Sequence, residues 1–326
     1  MRAIVFDQPG DESVLRLATV EPPALTAQAI RIRVRATAVN RADLLQRQGL
    51  YPPPPGASAL LGLECAGEVV EVGHEVAGWQ VGARAMALLA GGGYAEEVVV
   101  DAGSAIPIPE RISDEEAAAI PETFITAFLN IFLLGKPPTK GSVLVHGGGS
   151  GVGTAATSLC KEAGLTVLVT AGSDQKCERC LQHGADVAIN YRTEEFALRV
   201  LEATQGNGVD IILDCVGGRY LGANLKSLAV GGALIVIGLT GGTRGELDLA
   251  TLLRRRLRLE GSTLRARSEV EKAGIVNAFI GHFGEALQQG RVRPVIDRVL
   301  QLEQVAEAHR ALKASEHFGK VVLRID

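Results

Sequence analysis

The sequence predicts an α/β protein of two domains, a β-rich domain at the N-terminus followed by a doubly wound parallel sheet. Three observations carry that expectation. The 326 residues allow about two domains at ~100–200 residues each. The stretch from Ala29 to Val39 alternates apolar and charged residues (IRIRVRATAV), the period-two mark of a strand with one wet face. From Ser142 onward, unbroken apolar runs alternate with helical stretches, which indicates parallel strands covered on both faces.

The elements follow in order. After the alternating strand come short strands at Gly67–Val72 and Ala95–Val100, joined by turns that carry Gly73, Gly78, Gly82 and Gly91–Gly93. The segment Tyr51–Gly56 (YPPPPG) cannot be helix, because each proline restricts itself and the residue before it, so a stiff extended loop is expected. Ser113-Asp114-Glu115-Glu116 reads as a helix start, with a cap residue and acids in the first turn. Apolar β-rich runs then appear at 142–146, 166–170, 187–190, 209–216 and 233–238, with a sixth run at 257–264. Right-handed crossovers between them make a nucleotide-binding sheet of the Rossmann kind. The tail reads as a helix over 268–289, a strand at 295–300, a helix over 303–314 and a final strand at 319–325. Five or six strands already complete the parallel sheet, so the tail strands are expected to return to the N-terminal domain. That gives one domain of residues 1–121 and 266–326 and another of residues 122–265.

Composition excludes several functions. With 33 basic and 37 acidic side chains, the formal net charge is −4. Mild acidity offers no general attraction to nucleic acid or to an anionic membrane. Aromatic residues are only 4%, too few for a base-stacking surface. No apolar run reaches the ~18 residues of a membrane span; the nearest, Ala117–Leu134, is interrupted by Pro121, Glu122 and Asn130. The N-terminus lacks a signal-peptide core. Five cysteines without framework spacing (Cys65, Cys160, Cys177, Cys180, Cys215) suggest a reducing, cytoplasmic setting. Cys177-x-x-Cys180 stands alone on a predicted helix and is read as helix residues without metal.

The strongest chemical signal is His146–Gly153 (HGGGSGVG), directly after a strand and opening a helix. Glycines let the backbone approach a pyrophosphate, and the helix N-terminus offers unpaired N–H groups. Gly148-x-Ser150-x-x-Gly153 fits the dinucleotide fingerprint except for serine at its second position. The loop lacks the GK[ST] ending of a nucleoside triphosphate site. At the end of the second strand an NAD enzyme usually places an acid for the ribose hydroxyls. Here the chain reads Thr170-Ala171-Gly172-Ser173, with Asp174 further on and then Lys176. A hydroxyl and an ammonium suit a 2′-phosphate, so NADPH is the expected cofactor; a solvated helix residue is the other reading of Lys176.

Several segments carry a resemblance along nearly the whole chain: NRADLLQRQGLYPPPPGAS (40–58), LGLECAG (61–67), AMALLAGGGYAE (85–96), AAAIPETFITAF (117–128), VHGGGSGVGTAA (145–156), VTAGS (169–173), INY (189–191), LDCVGG (213–218) and FGKVVL (318–323). In these the sequence resembles the zinc-free quinone oxidoreductases of the medium-chain dehydrogenase/reductase family, most of all the branch induced by a tumour-suppressor transcription factor. The zinc-dependent members hold catalytic zinc through a cysteine after the alternating strand and a histidine in a Gly-His-Glu triplet. This chain has Asn40 and Leu63 there, and Asn40 and Leu63 cannot replace those ligands. It also lacks the four-cysteine structural lobe, so no metal is expected. A hydride acceptor that needs no Lewis acid must already be electrophilic, which a quinone is.

The resemblance implies a GroES-like catalytic domain, completed by the C-terminal tail, and a Rossmann cofactor domain. It implies that Gly148, Ser150, Gly151 and Val152 lie along the pyrophosphate, and that Gly172, Ser173, Lys176 and Tyr191 surround the 2′-phosphate. Val216, Gly238 and Leu239 would follow the later strand ends toward the nicotinamide. Thr126 and Asn40 would lie near nicotinamide and ribose, and Lys320 near the cofactor. Tyr51, Asn40 and Asp43 would border the substrate in a cleft between domains. Packing the proline loop is the other reading of Tyr51, and Asp43 can equally cap a helix. Glu64 and His146 are read as structural. The implied activity is hydride transfer from NADPH to a small-molecule quinone, with no side chain required as acid. An enone or alkenal reductase, or a non-catalytic NADPH-binding protein, would share the cofactor residues. A homodimer is implied through the strands near 233–264, and Arg254–Arg256 with Arg258 are read as a solvated face.

Overall fold

The computed structural model describes all residues, 1–326. The chain divides into two compact units, one of Met1–Ile125 with Leu264–Asp326, the other of Thr126–Thr263.

The first unit is built on a seven-stranded sheet. Its central strand is Ala29–Ala38, the alternating segment, whose Ile30, Ile32 and Val34 are buried while Arg33 and Arg35 face water. Strand Glu64–Val72 pairs antiparallel on one side of it, followed by Arg84–Leu88 and Ala105–Pro107. On the other side lies Lys320–Arg324, antiparallel, with Val322 opposite Ala38, and beyond it Ile296–Gln301 in parallel. Glu97–Asp101 also pairs with the central strand. The tail therefore returns to the N-terminal sheet, and its Val321 and Leu323 join Ile30, Ile32, Val34 and Val69 in one core. The tail helix Glu269–Gln288 starts from a capping box in which Ser268 and Glu271 satisfy each other's backbone amides.

A hairpin of Arg2–Val5 with Arg16–Thr19 forms a separate two-stranded sheet. The sequence pattern does not announce it, nor the strand Arg84–Leu88. These strands are short, and four or five residues give too few periods to read. Residues 51–63 form no helix or strand, in keeping with the prolines.

The second unit is a six-stranded sheet, parallel throughout. Across it the strands run Val187–Asn190, Thr166–Ala171, Ser142–His146, Val209–Asp214, Leu228–Val236 and Arg258–Gly261. In chain order this is 3-2-1-4-5-6, the doubly wound arrangement whose ligand crevice opens between the first and fourth strands. The sixth run is shorter than the sequence suggests. Arg258 and Arg255 do not simply face solvent. Arg258 donates to the carbonyls of Leu134 and Gly135, and Arg255 to those of Lys226 and Leu228, so both close helix C-termini. No helix is long and apolar enough to cross a membrane.

Candidate functional sites in the two units

The site in the second unit grows from the end of strand Ser142–His146. His146 is buried with both ring nitrogens engaged. The side-chain carbonyl of Asn224 accepts from Nε2 at 2.7 Å, which leaves Nδ1 to accept from the Thr170 hydroxyl at 3.0 Å. Burial lowers its pKa to about 4, so the ring is neutral. Gly147 then turns the chain with φ of +75°, a region glycine enters without strain. Ser150 caps the helix Gly151–Glu162, its hydroxyl accepting from the Gly153 N–H at 3.0 Å. A Cβ on Gly153 would stand 2.3 Å from the Gly147 carbonyl oxygen, so only glycine lets helix and loop approach this closely. Serine at the fingerprint's second position is therefore the helix cap. The first-turn N–H groups of this helix, which have no intrahelical partner, form the cradle with Gly148, Gly151 and Val152.

The neighbouring strand ends frame the cradle. Ser173 caps the helix Asp174–Gln182 by accepting from the Lys176 N–H. The carboxylate of Asp174 is held by the Asn190 side chain at 2.7 Å, which draws it toward strand Val187–Asn190. Gly172 lets the Tyr191 hydroxyl lie against the backbone, since a Cβ there would meet it at 2.7 Å. Lys176 is half-buried and Tyr191 is 42% exposed. Val216, Gly238 and Leu239 follow the ends of strands Val209–Asp214 and Leu228–Val236. Asp214 fixes that turn by accepting from the N–H groups of Val216 and Gly217. Thr126, half-buried in the helix Pro121–Phe128, accepts from Asn130 through its carbonyl oxygen.

The site in the first unit is made of side-chain charge. Asn40, Asp43 and Lys320 come together around Glu64, a residue read from the sequence only as structural. The Lys320 ammonium donates to the Val39 carbonyl oxygen (3.1 Å), Asn40 Oδ1 (2.7 Å) and Glu64 Oε1 (2.7 Å). Glu64 Oε1 also accepts from Asn40 Nδ2 at 2.8 Å, and its Oε2 from the Glu122 N–H at 2.9 Å. Lys320 and Glu64 are almost wholly buried. Asp43 places both oxygens on backbone amides, Asn40 at the start of the helix Arg41–Arg47 and Gly62 across from it. Burial raises its pKa to about 6 against the pull of those two bonds. Tyr51 is half-buried, and its ring lies 5.4 Å from the Arg265 guanidinium. Arg265 is itself held by the Ala90 carbonyl oxygen and by Gln46 Oε1.

Glu122 and Arg265 were not singled out from the sequence. The signal for Glu122 was present, a lone acid after a proline inside an apolar run. For Arg265 there was none, because only tertiary packing carries it to Tyr51.

Comparison with known proteins gives concordant results. Residues 26–110 match the alcohol dehydrogenase GroES-like domain, and residues 183–323 match a domain described as zinc-binding dehydrogenase. The rat (Rattus norvegicus) quinone oxidoreductase is 30% identical, covering 99% of this chain and 97% of its own length. The synaptic vesicle membrane protein VAT-1 homolog of Danio rerio is 32% identical over 99% of this chain and 69% of its own length. Among solved structures, Escherichia coli quinone oxidoreductase complexed with NADPH superposes with a TM-score of 0.87 at 26% identity, over 100% of both chains.

Proposed function

The chain belongs to the medium-chain dehydrogenase/reductase family, in its quinone oxidoreductase branch, and from that premise we propose that it is a zinc-independent NADPH:quinone oxidoreductase. As a member of the family it is an NAD(P)-dependent oxidoreductase. The choice of NADPH and of a quinone is the proposal.

The observation that carries it is the position of the Lys320 ammonium. Zinc, implied by the name of the matching domain, needs thiolate, imidazole or carboxylate ligands around an open centre. Here Asn40 Oδ1, Glu64 Oε1 and the Val39 carbonyl oxygen already surround a cation that is covalently part of the chain. A second positive charge among them would meet strong repulsion, and no group of three His, Cys, Asp or Glu side chains gathers to hold a metal. The donor set does not fit zinc. The acceptor must then be electrophilic without a Lewis acid, which favours a quinone.

The residues present do fit a dinucleotide, because the turn at Gly147 and the glycine-only contact at Gly153 set the unpartnered first-turn N–H groups of the helix Gly151–Glu162 at the end of the strand Ser142–His146. Gly148, Ser150, Gly151 and Val152 would hold the pyrophosphate, and Gly172, Ser173, Lys176 and Tyr191 the 2′-phosphate. The Asp174 carboxylate is already engaged by the Asn190 side chain. Val216, Gly238, Leu239 and Thr126 would line the nicotinamide. When bound, NADPH supplies a hydride. The chain orients it and excludes water. Asn40, Asp43 and Tyr51 would border the substrate, with Asn40 oriented by Glu64 and Lys320 and Asp43 held by its two amides. The same reading makes the enzyme a cytoplasmic homodimer joined through the edge strand Arg258–Gly261, which sedimentation velocity would test.

The test is NADPH consumption by EDTA-treated protein, with a small ortho-quinone and an enal offered in parallel. Turnover of the quinone alone is expected. Turnover of the enal alone would make the protein an alkenal reductase. Binding of NADPH without either reaction would favour a non-catalytic role.

A further inference from the structure

Glu122 is the second residue of the helix Pro121–Phe128 and is half-buried. Its backbone N–H is spent on Glu64, but its own carboxyl has no hydrogen bond and no ion pair. The charged groups facing it come from four other elements. They are Glu64 from strand Glu64–Val72, Asp43 from helix Arg41–Arg47, Lys320 from strand Lys320–Arg324, and Arg265 from the segment after Thr263. Two acids and two bases already balance. Lys320 is committed to Glu64, Asn40 and Val39, and Arg265 to Ala90 and Gln46. A third carboxylate would add an unmatched negative charge with no donor from the chain to meet it. A protonated Glu122 leaves the centre neutral. Burial first, and then the charge of Glu64, push its pKa up to about 8. The phenol of Tyr51 shares this environment, held above its ordinary value by burial and then by Glu122.

We propose that Glu122 is the proton donor that completes reduction, giving its proton to the oxygen of the reduced product. The inference rests on the quinone reading above. A quinone that has accepted a hydride holds two new electrons and one negative oxygen. The carboxyl O–H bond of Glu122 breaks, the new O–H bond of the hydroquinone forms, and Glu122 is left as carboxylate. Water then returns the proton, so one NADPH, one quinone and one proton give NADP⁺ and hydroquinone. A phenolic oxygen has an ordinary pKa of about 10, so transfer from Glu122 runs downhill. An ordinary glutamate, ionised at neutral pH, would have no proton to give. Catalysis through the protonated form is complete below about pH 8 and fades above it.

The experiment follows kcat for a small ortho-quinone from pH 6 to pH 10 in wild type, Glu122→Gln and Glu122→Asp, with thermal melts to confirm folding. Wild-type kcat is expected to fall about tenfold per pH unit above the Glu122 pKa. Glu122→Gln is expected to lose that limb and roughly tenfold to a hundredfold in kcat at neutral pH, with KM for NADPH unchanged. Its deficit should be larger for a methylated quinone than for a chlorinated one, whose hydroquinone is less basic. Glu122→Asp should retain a limb at a shifted pH. A Glu122→Gln enzyme with wild-type kcat and an intact limb overturns the proposal, as do equal deficits on the two quinones. If Glu122→Gln does not fold, the absence of an alkaline limb in the wild type overturns it instead. Wild type that turns over no quinone at any pH defeats the quinone reading itself, a different result from quinone turnover indifferent to Glu122.

Discussion

The centre around Glu64 and the loop around Gly153 are made of opposite materials. The first gathers titratable side chains from two strands, two helices and the segment after Thr263 and sets them against one another. Lys320 and Glu64 arrive from positions 256 residues apart. The second uses backbone almost alone, contributed by one contiguous loop, with the neutral His146 behind it. A backbone cradle can bind any anion of the right shape at little electrostatic cost. A buried charge cluster is balanced only when every member is present. Each unit is therefore fragile in its own way, the charge centre to loss of a partner and the loop to added volume.

The largest test of that contrast is Lys320→Ala. Leaving Glu64 ionised and buried without its ammonium should cost about 3–5 kcal/mol in urea unfolding. Lys320→Met combined with Glu64→Leu should recover most of that loss, because the pair is then removed together. Failure of the double variant to recover would mean that the cluster stabilises through more than charge balance.

The two centres should also respond to pH in opposite senses. His146 titrates near 4 when folded and near 6.5 when unfolded. Its contribution is therefore whole above about pH 6.5 and disappears as pH falls toward 4, a change of roughly 3 kcal/mol at 1.36 kcal/mol per unit. Glu122 is raised, so the stability it contributes is whole below its unfolded value and is lost as pH rises through about 8. Melting temperatures of His146→Gln should lose only the limb that rises from about pH 4 to 6.5, and those of Glu122→Gln only the limb that falls from about pH 4.5 to 8. If either variant flattened both limbs, the two centres would be coupled.

Adding volume to the loop should weaken cofactor binding while leaving the charge centre intact. For Gly153→Ala, with its Cβ 2.3 Å from a carbonyl oxygen, NADPH affinity by fluorescence titration should fall roughly a hundredfold, about 2.7 kcal/mol. The smallest effect is the most specific. Lys176→Ala should raise KM for NADPH roughly tenfold, about 1.4 kcal/mol, and leave KM for NADH unchanged. Equal effects on both cofactors would remove Lys176 from the 2′-phosphate.

The two sites were not equally legible. The loop could be read from HGGGSGVG because its parts are adjacent in sequence and each glycine has a local reason to be there. Even the departure at Ser150 has a local cause, the cap it makes to Gly153. In the other unit Asn40, Asp43 and Lys320 could be named through a family resemblance, but their arrangement could not. Nothing in the spacing of Glu64, Glu122 and Arg265 says that they converge. The missed strands, such as Arg84–Leu88, are too short to show a period.

The parallel sheet, its order of strand and helix, and the glycine loop that follows its first strand were all legible in the sequence. These follow from hydrophobic periodicity, helix capping and glycine sterics, all local properties of the chain. It took the folded chain to show that an ammonium fills the oxygen-lined centre at Asn40 and Glu64, and that the Glu122 carboxyl has no hydrogen bond or ion pair of its own. Pairing and desolvation depend on which distant residues the folded sheet brings within a few ångströms, and that is not a property of any one segment.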